Sequence, residues 1–233
     1  MGLLAVARHA ALLAAGDEPW LGPAEQARAQ GMAPAARAAF VASRLLLRRL
    51  LERSTGVAAS CWDLSAQSGC PPVACVRGAC ALAPAPAVSL SHRLDWVAAA
   101  TMEAGGGAVG VDVECRRASR SAAPDRAALM LSADELADWR RLPAAEAESA
   151  LLRAWVAKEA WFKATPAGVA PWDFRGLAAR ACAPAQANVR VWQAGQVFVG
   201  LCCGDAQALA RFACEGLPGD EVVESTWRVA SAA

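Results

Sequence analysis

Residues 110–114 read Gly110-Val111-Asp112-Val113-Glu114, a short segment with the alternation of a β-strand. Side chains alternate across a strand, so Asp112 and Glu114 point to one side and the two valines to the packing side. Two neighbouring carboxylates repel each other unless water or a cation separates them. On its own this pattern is compatible with a solvated edge strand as well as with a cation site.

A second acidic motif lies further along the chain and reads Trp155-Val156-Ala157-Lys158-Glu159-Ala160-Trp161-Phe162-Lys163. In a helix, Trp155, Glu159 and Lys163 follow one another at four-residue steps along one stripe. An exposed Glu–Lys pair is one interpretation of this spacing. The aromatic residues instead indicate a largely buried helix, in which Glu159 and Lys163 face a cleft or each other. Lys158 points away from this stripe, which favours a structural ion pair for it.

The segment Ser89-Leu90-Ser91-His92 contains one of the two histidines of the chain. A lone histidine is often structural, but His92 opens a strand that runs toward Asp112, so the chain can bring it near the acids. Three carboxylates without a cysteine or histidine ligand suit Mg2+ better than zinc. Lys163 and His92 add positive charge for an oxyanion. These residues together predict Mg2+-dependent chemistry on a phosphate ester or a pyrophosphate.

Local patterns predict an α+β protein with helices and short strands in both parts of the chain. Helices are expected after Pro23, over residues 35–53, after a capping box of Ser132 and Glu135, and over residues 144–164. Residues 57–86 are expected to be loop with short strands, and residues 88–100 a turn followed by a strand. The glycines at 105–107 are expected to join that strand to residues 108–113 as a hairpin, and further strands are expected over 188–192 and 196–202. A boundary near Gly105 divides the chain into residues 1–105 and 106–233.

The composition argues against several classes of protein. The 233 residues carry a net charge of +1, so bulk electrostatic binding to nucleic acid or to an acidic membrane is not expected. No apolar run is long enough to span a bilayer. The first 16 residues are expected to form a strand and a turn rather than a signal peptide, which predicts a cytoplasmic protein. The nine cysteines are expected to be reduced and buried.

The three motifs, in this order, resemble those of the 4'-phosphopantetheinyl transferase superfamily, in particular its long, surfactin-synthetase-activating type. That family has a Ser-His motif, a Gly-hydrophobic-Asp-hydrophobic-Glu motif and a Trp-x-x-Lys-Glu-x-x-x-Lys motif, matched here by Ser91-His92, residues 110–114 and residues 155–163. The likeness covers most of residues 21–164. It implies a pseudo-dimer of two similar halves, each a small antiparallel sheet packed with helices, with the active site between them. Two halves in one chain lead us to expect a monomer.

The resemblance also implies a reaction and its participants. Coenzyme A donates its phosphopantetheine arm to a serine of an apo acyl or peptidyl carrier protein, and 3',5'-ADP leaves. Mg2+ would be held on the pyrophosphate by Asp112, Glu114 and Glu159. The residues implied in catalysis are Asp112, Glu159 as general base, and Lys163, which stabilises the leaving group. The residues implied in binding coenzyme A are Ser91, His92, Lys163 and Arg44.

One position departs from the family pattern. Members commonly have Gly-Lys-Pro or Gly-Arg-Pro ahead of the Ser-His motif, whereas this chain has Gly69-Cys70-Pro71, and Cys70 cannot supply a cation to coenzyme A. Either Arg77 or another residue substitutes, or coenzyme A binds more weakly. The departure supports a second hypothesis, a non-catalytic protein that binds coenzyme A or a carrier on the same fold. A third hypothesis, a Mg2+-dependent phosphohydrolase, would need no protein acceptor.

Overall fold

The computed structural model of the protein describes residues 2–14, 21–65, 67, 71–78, 85–116, 123–165 and 174–232. The helices in these ranges are α1 (His9–Ala14), α2 (Pro23–Gln30), α3 (Pro34–Thr55), α4 (Ala123–Met130), α5 (Ala133–Trp139), α6 (Ala144–Ala164) and α7 (Ala206–Ala210). The strands are β1 (Leu3–Arg8), β2 (Trp62–Leu64), β3 (Ala74–Val76), β4 (Ala87–Arg93), β5 (Trp96–Met102), β6 (Val109–Cys115), β7 (Leu177–Ala181), β8 (Val189–Ala194), β9 (Val197–Cys203), β10 (Cys214–Glu215) and β11 (Val222–Ser231). The prediction of an α+β fold is confirmed.

Two main sheets hold most of the strands. The first has the order β10-β1-β5-β4, and the second has the order β6-β9-β8-β11-β7. All neighbours in the second sheet are antiparallel, while the first contains one parallel pair, β1 with β10. A separate hairpin of β2 and β3 lies within the predicted loop region. Strand β4 carries the Ser-His motif and strand β6 carries residues 110–114, so these two motifs lie on edge strands of different sheets.

The two sheets pack face to face, and each carries one long helix on its other face. Along β5, Val97 and Ala99 pack with α3, whereas Ala98 and Ala100 join the apolar core between the sheets. On the second sheet, Phe198 packs with α6, while its neighbours along β9 face the first sheet. This alternation is the period-two pattern of strands that are buried on both faces. The protein is thus layered as helix, sheet, sheet and helix.

Most predicted elements occur close to their expected positions. Helices α3 and α6 match the periodic segments at 35–53 and 144–164, and β8 and β9 match the two predicted C-terminal strands. Ser132 and Glu135 form the expected capping box, since the Ser132 side chain accepts from the Glu135 amide and the Glu135 carboxylate accepts from the Ser132 amide. The predicted stop of α6 at Pro166 and Gly168 lies outside the described residues.

The predicted hairpin across residues 105–107 is wrong. Strand β5 pairs with β1 and β4, so both of its edges are occupied, and β6 pairs with β9 in the other sheet. The glycine turn instead carries the chain from one sheet to the other. Gly105 and Gly107 have φ angles of 81° and 87°, a backbone conformation that glycine adopts without steric cost. Period-two alternation identifies strands but not the sheet in which they pair.

Two further local expectations need correction. Residues 88–100 were expected to be a turn and one strand, but they belong to β4 and β5, which pair around a tight turn at Leu94 and Asp95. Leu94 has a φ angle of 51°, which lies in the left-handed region. Leucine rarely adopts this conformation, so the sequence offers no reason to predict a turn there. Residues 9–14, expected as a turn after β1, form the short helix α1, which buries Leu12 in the core under α3.

The division of the chain near Gly105 remains a prediction. It coincides with the crossing between the sheets, but β10, which comes from the C-terminal part, pairs with β1. Among the described residues, none of the helices has the length and apolar character that a membrane crossing requires. Among the described cysteines, Cys115, Cys202 and Cys203 are buried, whereas Cys61 and Cys75 are exposed rather than buried as expected.

Candidate active site

Helix α6 lies directly on β6 and β9 because two glycines leave room for it. A Cβ atom built on Gly110 would lie 2.0 Å from the carbonyl oxygen of Ala160, and one built on Gly200 would lie 2.3 Å from that of Val156. Any other residue at either position would push the helix away from the sheet. The glycine of the first motif thus sets the distance between the strand that carries Asp112 and the helix of the second motif.

This close packing brings Lys163 onto Asp112. The Lys163 Nζ donates to the Asp112 Oδ1 at 2.8 Å and to the backbone carbonyl of Val111 at 3.1 Å. The Asp112 side chain is only 7% exposed, whereas that of Lys163 is 30% exposed. The lysine therefore compensates the buried carboxylate and satisfies a carbonyl of the edge strand, while part of its side chain still reaches solvent.

Strand β4 joins β6 through side chains rather than through a backbone ladder. The Ser89 hydroxyl accepts from the Val111 amide at 3.0 Å, and the Ser91 hydroxyl donates to the Asp112 Oδ1 at 2.8 Å. The same carboxylate oxygen accepts from Ser91 on one side and from Lys163 on the other. The first and second sheets thus meet at Asp112, and the Ser-His and Gly-x-Asp motifs are brought together as predicted from the sequence.

Arg93 is a member of this group that the sequence analysis missed. Its Nε lies 2.9 Å from the Glu114 Oε2, and its side chain is 34% exposed. Ser89, Ser91 and Arg93 share one face of β4, so strand alternation could have identified the arginine once β4 was recognised as a strand. With Arg93 at Glu114 and Lys163 at Asp112, each acid of the first motif has a cation beside it.

Burial and repulsion between neighbouring carboxylates raise the pKa values of Glu114 and Glu159. Burial raises the pKa of Glu114 to about 7, and the charge of Asp112 adds to this increase while Arg93 opposes it. Burial likewise raises the pKa of Glu159 to about 7, with a further increase from Asp112 and a decrease from Lys163. The interpretation of β6 as a solvated edge strand is therefore wrong, because the acids are buried next to one another between a helix and a second strand.

His92 lies within the electrostatic reach of the same group. Partial desolvation of the ring, followed by the charges of Lys163 and Arg93, lowers the pKa of His92, while Asp112 opposes this shift. This shift favours the neutral imidazole, which can donate one hydrogen bond, over the positive charge expected from the sequence. Its position in the second half of β4, and not at the start of a strand, corrects the predicted topology.

The side chains of Asp112, Glu114 and Glu159 offer the type of ligand atom that a hard divalent cation prefers. The three acids supply only oxygen ligands, and the Asp112 Oδ2 is buried without a hydrogen-bond partner among the described residues. The described residues contain no group of three or more Asp, Glu, His or Cys side chains placed closely enough to hold a metal ion. The carboxylates of Asp112 and Glu114 are engaged by Lys163 and Arg93 instead. Binding of a cation therefore requires these ion pairs to rearrange.

Arg44 lies in a different buried cluster, on α3. Its Nε is 3.8 Å from the Glu25 Oε1, and its guanidinium lies over the Phe40 ring at 5.0 Å. The same glutamate binds Arg48 through a 2.5 Å contact and is almost fully buried. Desolvation lowers the pKa of Arg44 to about 10, despite the opposing charge of Glu25. No contact of the described residues joins Arg44 to the Asp112 group.

Three other positions had been assigned a role from the sequence: Lys158, Arg77 and Cys70. Lys158 is completely buried and donates to Glu135 and to the carbonyls of Met130 and Phe174, which confirms a structural role. Arg77 is paired with Asp63 at 2.8 Å on the surface of the β2–β3 hairpin. Cys70, where the family commonly has a cation, lies outside the described residues.

Comparison with protein-family models matches residues 108–227 to the 4'-phosphopantetheinyl transferase superfamily. This region spans most of the second sheet together with α6, and it includes both acidic motifs but not Ser91 or His92. A search of curated proteins found no match. The matched region covers more than half of the chain and contains the strand and helix that hold the acids and Lys163. The chain belongs to the 4'-phosphopantetheinyl transferase superfamily and is a transferase of phosphopantetheine.

Proposed function

We propose that this chain transfers the 4'-phosphopantetheine arm of coenzyme A to a serine hydroxyl of an apo acyl or peptidyl carrier protein, with Mg2+ as cofactor. The observation that carries this proposal is the junction at Asp112, where one carboxylate oxygen accepts from both Lys163 and Ser91. The buried Glu114 and the half-buried Glu159 lie within the field of Asp112, and both have raised pKa values. Such a group of buried acids and partly exposed cations is suited to the charge redistribution of a phosphoryl displacement.

The reaction forms one bond and breaks one. The oxygen of the acceptor serine forms a bond to the pantetheine-side phosphorus of coenzyme A, and the bond from that phosphorus to the bridging oxygen breaks. The electron pair leaves with 3',5'-ADP, and the serine proton is transferred to Glu159. As a carboxylate, Glu159 can accept this proton directly or through a water molecule.

Lys163 and Ser91 are expected to reorganise when the pyrophosphate binds. Lys163 is partly exposed and reaches Asp112 from α6, so its ammonium is available to stabilise charge on the leaving phosphate. The Ser91 hydroxyl and the neutral His92 ring lie on the β4 side of the junction and can donate hydrogen bonds to phosphate oxygens. Arg44 belongs to a separate cluster, and we propose it only as a more remote contact for a coenzyme A phosphate.

A divalent cation completes this proposal. Asp112, Glu114 and Glu159 would hold it. The Asp112 Oδ2 supports this assignment, because it is buried without a hydrogen-bond partner among the described residues. Bound there, Mg2+ would neutralise the negative charge of the pyrophosphate and polarise its phosphorus. We further infer a monomer, because the two sheets already bury each other within one chain; a cytoplasmic location stays a prediction.

The proposal is tested by incubating the purified protein with Mg2+, coenzyme A and an apo carrier, and measuring the mass of the carrier. Asp112→Ala and Glu159→Ala are each expected to lower kcat/KM by at least about 100-fold. Asp220→Ala and Glu221→Ala remove exposed acids of the loop before β11 and serve as matched controls. Normal turnover in both site variants would exclude the proposed roles of Asp112 and Glu159.

Two other outcomes would point to the alternative hypotheses. If the wild-type protein binds coenzyme A or the carrier without changing the mass of the carrier, a non-catalytic binding role is favoured. If it releases 3',5'-ADP or phosphate from coenzyme A in the absence of an acceptor, a phosphohydrolase is favoured. Comparing an acyl carrier with a peptidyl carrier in the same assay would identify the preferred acceptor.

A further inference from the structure

Arg93 contacts the acids of the candidate active site from the first sheet. It is the last residue of β4, and Ser89, Ser91 and Arg93 share the face of that strand that meets β6. Ser91 reaches Asp112. Two residues further along each strand, Arg93 reaches Glu114. The guanidinium therefore lies in the same row of side chains as the acids, at the end of a strand, where it remains partly exposed.

The contact between Arg93 and Glu114 is close but is not aligned as a hydrogen bond. The Arg93 Nε lies 2.9 Å from the Glu114 Oε2, yet this nitrogen is buried without a hydrogen-bond partner among the described residues. A misaligned donor gains much less from its acceptor than an aligned one. Burial and the charge of Asp112 outweigh Arg93, so the pKa of Glu114 stays raised to about 7. The arginine therefore compensates this carboxylate only in part.

Arginines with a structural role in this protein are bonded differently. Arg48 donates to both carboxylate oxygens of Glu25 and to a backbone carbonyl. Arg190 donates to Glu224 and to three backbone carbonyls around the end of α7. In both, the terminal nitrogens of the planar guanidinium reach several acceptors at once. The contact of Arg93 is instead made by its Nε without the alignment of a hydrogen bond, which indicates a side chain that is held near Glu114 rather than fixed there.

Lys163 and Arg93 approach β6 from different elements. Lys163 belongs to α6 and pairs with Asp112, whereas Arg93 belongs to β4 and pairs with Glu114. Residues two apart on a strand are separated by about 7 Å. Both cations are partly exposed and have long side chains, so at this spacing they can contact one pyrophosphate group together.

Glu114 cannot keep its contact with Arg93 while it binds a divalent cation. A guanidinium and a metal ion beside one carboxylate repel each other, because they carry like charges a few ångströms apart. Binding of a cation to the acids therefore displaces the guanidinium from Glu114. The displaced side chain stays on β4 beside the acids, and phosphate is an acceptor that matches its planar set of donors.

We propose that Arg93 is a coenzyme A-binding residue, which pairs with Glu114 in the free protein and moves to the pyrophosphate when a divalent cation takes its place. This inference rests on the proposed function, because it assigns a further residue to the same phosphate site. The exchange involves no covalent step. It predicts that removal of Arg93 has opposite effects on two ligands, since the divalent cation loses a competitor while coenzyme A loses a contact.

The test compares Arg93→Gln with wild type in two binding measurements, at a pH above the pKa of Glu114. Binding of Mn2+ without coenzyme A, followed by electron paramagnetic resonance, should become about three- to tenfold tighter, because no guanidinium competes for Glu114. Binding of coenzyme A at saturating Mg2+, followed by isothermal titration calorimetry, should become about tenfold weaker, because a charge-assisted contact to phosphate is lost. A purely structural role would weaken the binding of both ligands, and that result would overturn the proposal.

Arg8→Gln is the matched control. Arg8 on β1 and Arg93 on β4 both lie opposite Trp96 of β5, so the control removes the same charge from the same end of the sheet. Arg8 is exposed and its charge is screened, so either affinity should change by less than about twofold. An equal loss of coenzyme A affinity in this control would mean that only net charge matters. Arg93→Lys should keep more affinity for coenzyme A than Arg93→Gln, and an equal loss in both would contradict a contact with phosphate.

Dephospho-coenzyme A, which lacks the 3'-phosphate but keeps the pyrophosphate, identifies the phosphate concerned. Arg93→Gln should weaken this ligand by the same factor, and a loss confined to coenzyme A would place Arg93 at the 3'-phosphate and contradict the proposal. Because binding needs no acceptor protein, the two failures are distinguishable. A wild-type protein that binds coenzyme A through Arg93 but modifies no carrier contradicts only the proposed transfer. Normal transfer by the wild type, with both affinities unchanged in Arg93→Gln, overturns only the role of Arg93.

Discussion

Replacing Gly110 by alanine should separate α6 from β6 and disrupt the candidate active site. The added Cβ would lie 2.0 Å from the Ala160 carbonyl oxygen and 2.6 Å from the Ala164 amide nitrogen. Both are backbone atoms, so no side-chain rotation relieves the contact. Since Cβ atoms do not approach closer than 3.0 Å, the strand and the helix must move apart by about 1 Å, a shift large enough to matter for catalysis.

Two measurable effects follow from this displacement. Overpacking at a buried contact lowers the free energy of unfolding by about 1–3 kcal/mol. Lys163 lies one helical turn beyond Ala160, so its 2.8 Å hydrogen bond to Asp112 would lengthen with the helix. Misplacement of a catalytic group by about 1 Å can lower the rate by about 100-fold. We therefore expect a loss of activity that is much larger than the fraction of unfolded protein explains.

The measurements are urea unfolding and kcat/KM for transfer to an apo carrier, both well below the melting temperature. Gly204→Ala is the matched control, because a Cβ there meets nothing within 4 Å. Gly200→Ala, which would contact the Val156 carbonyl at 2.3 Å, should lose similar stability but less activity, since Val156 is further from Lys163. If Gly110→Ala behaves like Gly204→Ala in both assays, the close contact does not position the site.

Three further predictions concern charge and hydrogen bonding. In EDTA, the free energy of unfolding should fall as the pH rises from about 4.5 to about 7, because the pKa values of Glu114 and Glu159 are raised in the folded protein and return to their ordinary values on unfolding. Urea titrations at several pH values measure this dependence. Glu159→Gln should make it less steep. Lys158→Met should cost about 3–5 kcal/mol in urea unfolding, since Glu135, whose side chain is 11% exposed, would lose its counter-charge. Ser89→Ala should cost about 1–3 kcal/mol by leaving the buried Val111 amide without its partner, and a stability equal to wild type would contradict that role.

Features that depend on local periodicity could be predicted from the sequence. The limits of α3 and α6, the capping box at Ser132 and the two-faced character of β6 all follow from spacing within a few residues. The stripe of Glu159 and Lys163 faces the acids of β6, as the aromatic residues around it in the sequence indicated. The structural role of Lys158 was predictable for the same reason, because one residue of helix rotates a side chain by about 100°.

Features that depend on pairing between distant segments could not be predicted. The turn at Leu94 and the crossing at Gly105 and Gly107 have the same local signals as an ordinary loop or hairpin, so the choice of partner strand decides their role. Arg93 entered the site only because β4 is a strand whose alternate residues face β6. The burial of Glu25 with Arg48 likewise arises from packing between α2 and α3.

By itself, the sequence determined which side chains could take part in the chemistry, since their types and their spacing on one strand and one helix are local properties. Only the tertiary structure decided what each of them contacts. The Asp112 carboxylate is shared by Ser91 and Lys163 because two sheet edges and a helix meet there, and Gly110 permits that approach. The raised pKa values of the two glutamates have the same origin, because burial and the field of neighbouring charges exist only when distant segments are packed together.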